Sequence, residues 1–180
     1  AMREALRFDD GTVSVASLGT LPRTLFGTDD ADYIEVTSGQ DVVLSDGGYD
    51  RVASAWSYAL GAETEALELT GTAAVNGFGN ELANTFTGND AANELFGFGG
   101  NDRFFARGGN DYLSGGEGND ELYGQAGSDR LFGGEGTDLL NGGAGADTFV
   151  FSTGLDTVQD FSLRSGDRVD LVFEITEGKV

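Results

Sequence analysis

Hydrophobic and polar positions recur with a fixed period of nine residues through the second half of the chain. An aspartate opens each period, and a large apolar residue stands two positions after it. The aspartates are Asp102, Asp111, Asp120, Asp129, Asp138, Asp147 and Asp156. The apolar residues are Phe104, Leu113, Leu122, Leu131, Leu140, Phe149 and Val158. Self-similarity with so short a period indicates a repeat architecture.

Each nine-residue unit predicts a six-residue turn followed by a three-residue strand. A glycine lies two residues before every aspartate, from Gly100 to Gly154, as suits a turn that enters positive φ. In the strand the apolar side chain points inward and its neighbours point outward. One unit buries nothing, so two units form an 18-residue coil and stacked coils share a thin core. The sequence therefore predicts an all-β fold, a parallel β-roll (right-handed β-solenoid) of stacked 18-residue coils with terminal caps.

The pattern weakens toward the amino terminus. Asn93 precedes Leu95 and Asn84 precedes Phe86 at the same spacing, and residues 54–78 are interpreted as coils that continue without metal. The prediction is one continuous domain in four parts. These are an N-terminal cap or hairpin (1–24), irregular β-roll coils (25–78), a nonapeptide β-roll (79–159) and a C-terminal cap (160–180).

Charge and composition narrow the chemistry. Acidic residues number 31 and basic residues 10, a net charge of −21, which repels nucleic acids and anionic membranes and favours a cation as partner. The sequence has no Cys and no His, so disulfides, zinc–thiolate sites and histidine-based catalysis are excluded. No apolar run reaches the roughly 18 residues of a membrane helix. Oxygen ligands remain, and they suit a hard ion such as calcium.

Stacking brings each aspartate next to the one that lies two repeat units, or one full coil, further along the chain. At the strand spacing of about 4.8 Å, two carboxylates repel by roughly 3 kcal/mol at an effective dielectric constant of about 20. A divalent cation between them turns repulsion into attraction, and turn carbonyls complete a shell of about six oxygens. Calcium is favoured over magnesium, which demands a stricter octahedron. The predicted pairs are Asp102–Asp120, Asp111–Asp129, Asp120–Asp138, Asp129–Asp147 and Asp138–Asp156.

Further ligands are predicted outside these pairs. Asn84 and Asn93 replace the aspartate and predict weaker sites. In the first third, Asp32, Asp41 and Asp50 each precede an apolar residue by two positions. Of these, Asp32 and Asp50 are separated by one full coil and predict one more site. The sequence thus predicts about five calcium ions or more.

The units GGEGNDELY, GGEGTDLLN and GGAGADTFV resemble the RTX (repeats-in-toxin) nonapeptide of haemolysin-type calcium-binding proteins. Six consecutive units from Gly97 to Val150 carry the resemblance. It implies a module of a larger protein that leaves a Gram-negative bacterium by type I secretion and folds on calcium outside the cell. The chain is accordingly expected to be no enzyme, with any catalytic domain elsewhere in the parent.

Three departures from the repeat predict strained or reshaped turns. Phe98, Arg107 and Gln125 stand where the unit has its second glycine, a position expected to require positive φ. The acidic residues Asp167 and Asp170 lie outside the nine-residue ruler and are interpreted as surface charge.

Outward-facing aromatic residues leave a second interpretation open. Phe105 and Tyr123 are separated by one full coil and should be neighbours on one sheet. Adjacent exposed rings can bind a polysaccharide or a cell surface, as in an appendage of an enzyme or an adhesin. The alternative, that the rings pack against another segment or domain, is favoured. Arg103 and Arg130 are expected on different sheets, so they predict no basic groove.

Overall fold

A computed structural model describes residues 12–13, 22–151 and 154–172 of the chain. Within these ranges all regular structure is β-strand. The strands are β1 (Thr12–Val13), β2 (Thr24–Phe26), β3 (Tyr33–Val36), β4 (Val42–Leu44), β5 (Arg51–Ser54), β6 (Tyr58–Ala59), β7 (Ala66–Leu69), β8 (Gly77–Phe78), β9 (Thr85–Thr87), β10 (Glu94–Gly99), β11 (Arg103–Phe105), β12 (Tyr112–Glu117), β13 (Glu121–Ala126), β14 (Arg130–Glu135), β15 (Leu139–Ala144), β16 (Thr148–Phe151), β17 (Thr157–Val158) and β18 (Arg168–Leu171).

Alternate strands of the chain enter opposite sheets. The odd-numbered strands from β1 to β17 form a nine-stranded sheet in chain order, and the even-numbered strands from β6 to β18 form a seven-stranded sheet. Strands β2 and β4 make a separate pair. Every pairing is parallel, and from β8 onward the usual partner lies two repeat units away, as for Leu122 and Leu140. The predicted all-β parallel β-roll of stacked 18-residue coils is confirmed, with about eight turns.

Coil length varies outside the regular tract. The coil that joins Arg51 to its partner Ala66 is three residues shorter than a regular coil, whereas the coil from Tyr58 to Gly77 is one residue longer. Near the other end Thr148 pairs with Arg168, across a coil that is two residues longer. Each change moves the residues that follow out of phase with the preceding nine-residue period, so one period does not extend through the whole roll.

The core is a ladder of apolar side chains between the two sheets. Its regular part is Phe86, Leu95, Phe104, Leu113, Leu122, Leu131, Leu140 and Phe149, each with 0% of its surface exposed. Neighbouring rungs touch directly, and the rings of Phe86 and Phe104 stack with centroids 4.6 Å apart. Val158 is partly buried against the ladder. The strands thus bury the apolar residue that follows each aspartate by two positions.

The predicted strain in three turns is confirmed. Phe98, Arg107 and Gln125 have φ of 77°, 74° and 74°, and they are the non-glycine residues with positive φ in the described part of the chain. Gly143, one coil beyond Gln125, has φ of 93°. A Cβ added at Gly143 would overlap the carbonyl oxygen of Gln125, because the stacked turns leave no space for a side chain there.

The domain boundaries stay predictions. Most of the hairpin predicted for residues 1–24 lies outside the described residues, but Thr12 and Val13 pair in parallel with Tyr33 and Ile34. At the other end β18, within the predicted C-terminal cap, pairs in parallel with β16. The sheet therefore continues into that range.

The described residues include no helix long and apolar enough to cross a membrane.

Exchanging glycine between equivalent turn positions should change stability in opposite directions. Gln125→Gly relieves a positive-φ side chain and should raise the free energy of unfolding by about 1 kcal/mol. Gly143→Ala adds a Cβ where it overlaps Gln125 and should lower that free energy by more than about 1 kcal/mol. Urea unfolding in saturating calcium measures both, and equal effects of the two substitutions would contradict this account of the turns.

Candidate metal centre

The aspartates form two columns, one along each sheet, at the point where a turn enters a strand. In one column the backbone N–H of Asp102 donates to Oδ1 of Asp120 at 2.7 Å, and in the other Asp111 donates to Asp129 at 2.8 Å. The remaining contacts repeat this geometry. They join Asp120 to Asp138 at 2.9 Å, Asp129 to Asp147 at 2.9 Å and Asp138 to Asp156 at 3.3 Å. The structure thus brings together all five predicted pairs.

The second carboxylate oxygen of these residues is buried and has no hydrogen-bond partner. This holds for Oδ2 of Asp102, Asp111, Asp120, Asp129, Asp138 and Asp147. Each of these six residues is at most 3% exposed. A buried charged oxygen without a partner is costly, so a row of them at one repeated position indicates a positively charged ligand.

In five of these six residues a glycine five positions before the aspartate lies beside Oδ2, whereas Ala106 takes that position before Asp111. A Cβ added to Gly97 would overlap both Oδ2 of Asp102 and the carbonyl oxygen of Gly115 on the next coil. Gly115 faces Asp120 and Gly133 in the same way. At Gly97, Gly115 and Gly124 a carboxylate oxygen and a carbonyl oxygen of the next coil therefore share a space that excludes a side chain, and we call this space a cradle. Such an all-oxygen set fits calcium.

The cradles differ from a cluster of acidic side chains. Among the described residues no group of three or more His, Cys, Asp or Glu side chains could hold a metal ion. Each candidate site instead combines one aspartate of a column with backbone carbonyl oxygens. The turn glycines are therefore as necessary for the site as the aspartates, because a side chain at their positions would block it.

Burial also perturbs the acidity of the columns. Loss of solvation on burial is the largest cause that raises the pKa of Asp102, Asp111 and Asp120 to about 7. A backbone hydrogen bond opposes the rise in each case, and the charge of the next aspartate adds to it. The same burial raises the pKa of Asp129 and Asp156 to about 6. In the metal-free roll, protons therefore compete for the cradles near neutral pH.

The predicted pair in the first third is also brought together. The backbone N–H of Asp32 donates to Oδ1 of Asp50 at 2.9 Å. Oδ1 of Asp32 and Oδ2 of Asp50 are buried without a partner. Asp50 therefore has the same unpartnered Oδ2 as the regular columns, whereas Oδ2 of Asp32 accepts hydrogen bonds from Thr28.

Asp41 has a cation supplied by the chain. Arg23 lies one full coil before it, and Nη2 of Arg23 is 2.6 Å from Oδ2 of Asp41. Burial alone would raise the pKa of Asp41, but hydrogen bonds from Arg23 and Thr37 hold it below its ordinary value. Sequence reasoning missed Arg23, although its distance along the chain from Asp41, two repeat units, was a visible signal.

Asn84 and Asn93 occupy the columns but have no open oxygen. Their backbone N–H groups each donate at 2.7 Å to Oδ1 of the next aspartate, Asp102 and Asp111 respectively. Oδ1 of Asn84 accepts from Asn80 N–H at 2.9 Å, and Oδ1 of Asn93 accepts from a backbone N–H at 3.0 Å. Their role as weaker calcium ligands stays a prediction of the sequence, and the occupied oxygens argue against it.

The interpretation of Asp167 as surface charge is wrong. Asp167 is 4% exposed, and its Oδ1 accepts from Asp147 N–H at 3.1 Å. It continues the column one coil beyond Asp147, and Val169 follows it by two positions as in the regular units. The coil from Asp147 to Asp167 is two residues longer than a regular 18-residue coil, so Asp167 does not fall on the nine-residue period. Asp170 is half exposed and forms an ion pair with Arg130 at 2.7 Å.

Sequence reasoning also missed Asp160. Its carboxylate accepts from the backbone N–H groups of Gly142 and Gly143 at 3.0 Å and 2.6 Å. Asp160 lies one full coil after Gly142. It therefore covers the last regular turn of its column with a side chain instead of another glycine turn.

The rings of the aromatic pair Phe105 and Tyr123 are in contact with each other and with Arg103. Phe105 and Tyr123 stack with centroids 5.3 Å apart, so the predicted adjacency is confirmed. The Arg103 guanidinium lies 5.1 Å and 5.9 Å from these two centroids and pairs with Glu121 at 2.9 Å. This arrangement supports local packing over a free sugar-binding platform.

Acid should stabilise the metal-free roll. A folded-state pKa of about 7 against an ordinary value of 3.8 means that stability is fully present below pH 3.8 and is lost as pH rises through 7. Calcium-free protein should therefore have more β-structure by circular dichroism at pH 5 than at pH 8. Asp120→Asn with Asp129→Asn should flatten this dependence, and the exposed control pair Asp46→Asn with Asp90→Asn should not. A metal-free β-signal that rises with pH would contradict the burial of these carboxylates.

Comparison with known proteins agrees with the geometry. The family described as RTX calcium-binding nonapeptide repeat matches residues 24–52, 78–113, 106–140, 114–149 and 123–158. These segments cover more than half of the 180 residues and include both the regular columns and the Asp32–Asp50 pair. A search of curated proteins finds no match. The chain therefore belongs to the RTX calcium-binding nonapeptide repeat family.

Proposed function

We propose that calcium acts on this β-roll as a folding ligand and that the module is part of a secreted bacterial protein. The observation that carries the proposal is the row of buried carboxylate oxygens that have no hydrogen-bond partner. In each fully formed cradle, a glycine carbonyl of the next coil faces the same space. The ion would contribute charge neutralisation there and no reaction chemistry.

The energetic reason is the conflict between stacking and charge. The contact from Asp102 N–H to Asp120 Oδ1 at 2.7 Å holds successive carboxylates one coil apart. Without a cation, like charges at this spacing repel by roughly 3 kcal/mol per pair. With the cation, each site adds about 2.7 kcal/mol of stability when free calcium exceeds its Kd a hundredfold. Several sites in series therefore make folding strongly dependent on calcium.

This dependence suits export followed by folding. Where free calcium is scarce, as in a bacterial cytosol, the charge of −21 favours an open chain. Where calcium is abundant, outside the cell, the columns close. Type I secretion from a Gram-negative bacterium is consistent with membership of the family. We infer an extracellular location for the module on these grounds.

The module itself is proposed to be non-catalytic. The sequence has no His and no Cys, and the buried carboxylates of the regular tract are arranged in columns facing glycine turns. Any enzymatic activity would belong to another part of the parent protein.

Removing one carboxylate should weaken calcium binding at two positions. Asp120 contacts both Asp102 and Asp138, so Asp120→Asn should lower calcium affinity about tenfold at each adjoining site, about 1.4 kcal/mol per site. Isothermal titration calorimetry measures the affinity, and circular dichroism follows the gain of β-structure.

The matched control is Asp170→Asn, because Asp170 is half exposed and pairs with Arg130. It should bind calcium like the unchanged chain. Calcium binding without a gain of β-structure, or a gain of β-structure with magnesium at equal concentration, would contradict the proposal.

A further inference from the structure

The turns in the middle of the roll are built without the aspartate columns. Across β5 to β9 the column positions hold Trp56 and Val75 on one sheet and Glu65 on the other, as the strand registers show. Glu65 remains close to its column, where Oε2 accepts from Asp50 N–H at 2.7 Å. No pair of stacked aspartates occurs between residues 51 and 93. We call residues 51–93 the amide tract, because asparagine side chains organise its turns.

The first of two asparagine pairs is Asn80 and Asn84. Nδ2 of Asn80 donates to the carbonyl oxygens of Gly61 at 2.5 Å and Thr64 at 2.8 Å, both on the preceding coil. Nδ2 of Asn84 donates to Thr64 as well, at 3.1 Å. The carbonyls of that turn are therefore satisfied by amide groups.

The second pair repeats the arrangement on the other sheet. Nδ2 of Asn89 donates to Ala73 O at 2.9 Å, and Nδ2 of Asn93 donates to Val75 O at 2.7 Å. Both pairs have the sequence Gly-Asn-x-x-x-Asn, and the second starts nine residues after the first. In the regular units these two positions hold the second glycine and the aspartate.

The backbone fixes the orientation of these amides. Oδ1 of Asn84 accepts a backbone N–H from Asn80 at 2.9 Å, and Oδ1 of Asn93 accepts one from Asn89 at 3.0 Å. An N–H group can only point at the oxygen, so the NH₂ group must face the carbonyls of the preceding coil. An asparagine thus supplies both an acceptor and a donor, with no net charge to neutralise.

The C-terminal edge of the amide tract contacts the first coil of the aspartate columns. Backbone N–H groups of Asn84 and Asn93 each donate at 2.7 Å to Oδ1 of Asp102 and Asp111. These contacts fix one oxygen of the first aspartate in each column. The second oxygen of each stays buried and open.

We propose that the amide tract folds without calcium and serves as the seed on which the aspartate coils stack as they bind the ion. A solenoid coil is stable only against a neighbouring coil, so a metal-independent edge removes the need to start folding from charged coils alone. The inference rests on the proposed function, since a seed has meaning only if the aspartate coils require calcium. In this proposal the side-chain amides of Asn80, Asn84, Asn89 and Asn93 bind the turn carbonyls that a cation binds elsewhere in the roll.

Hydrogen exchange on the full chain tests the seed. In excess EDTA, amides of β7 and β9 should exchange at least tenfold more slowly than the unfolded rate, while amides of β13 and β15 should exchange near the unfolded rate. In saturating calcium all four strands should be protected. Mass spectrometry of peptides from each strand measures both states.

Variants separate the asparagine side chains from general effects. Asn89→Ala with Asn93→Ala should abolish protection of β7 and β9 in EDTA. The control pair Asn101→Ala with Asn119→Ala removes exposed asparagines of the aspartate coils, where Asn119 N–H donates to Asn101 Oδ1, and should leave that protection intact.

A second pair of substitutions tests the seed even if the chain with Asn89→Ala and Asn93→Ala does not fold. Asn84→Asp with Asn93→Asp puts carboxylates into the amide tract, so protection of β7 and β9 should be lost in EDTA and restored by calcium. Loss of protection across the whole unchanged chain in EDTA, with full recovery in calcium, would overturn the seed and leave the proposed function standing. Protection of β13 and β15 in EDTA would overturn the proposed function and the seed together.

Discussion

The roll depends on one constraint: the carboxylate oxygen buried at each turn of the regular tract must meet a positive charge. Stacking of parallel coils fixes Oδ1 of each aspartate on the backbone of its neighbour, as from Asp102 to Asp120. It leaves Oδ2 buried and unsatisfied beside a glycine. The thin apolar ladder is continuous, but hydrophobic burial does nothing to relieve this row of charges. Membership of the RTX family and the oxygen-lined cradles both favour calcium as the ion that would resolve the conflict.

The same chain resolves that conflict in three chemical ways. In the regular tract the cradles suit calcium. Near the start of the described roll the guanidinium of Arg23 neutralises Asp41. In the amide tract, Asn84 and Asn93 replace carboxylates with groups that donate and accept at once. The backbone of the roll is thus uniform, but the charge at its turns differs between the aspartate coils and the amide tract. This difference would let the amide tract become ordered before the aspartate coils.

Sequence reasoning could predict the features set by strict periodicity. These include the parallel β-roll, the aspartate pairs, the core ladder and the strain at Phe98, Arg107 and Gln125, because each depends only on the repeat unit and its doubling into a coil. It could not place side chains where coil length changes. Asp167 was misjudged because its coil is two residues longer, and the partners of Asn80 and Asn89 lie across coils that are one residue longer than the regular ones. Arg23 could not be found from the repeated aspartates, because a basic residue takes the place of the aspartate in the same column.

The most direct measurement is anomalous diffraction from crystals of the chain grown in saturating calcium. We predict a calcium peak in the cradle between Oδ2 of Asp102 and the carbonyl oxygen of Gly115, with equivalent peaks down both aspartate columns. We predict no peak beside the amide nitrogens of Asn84 and Asn93. Cradles without peaks at saturating calcium, or aspartate side chains turned out to solvent, would contradict the claim that calcium holds the coils together.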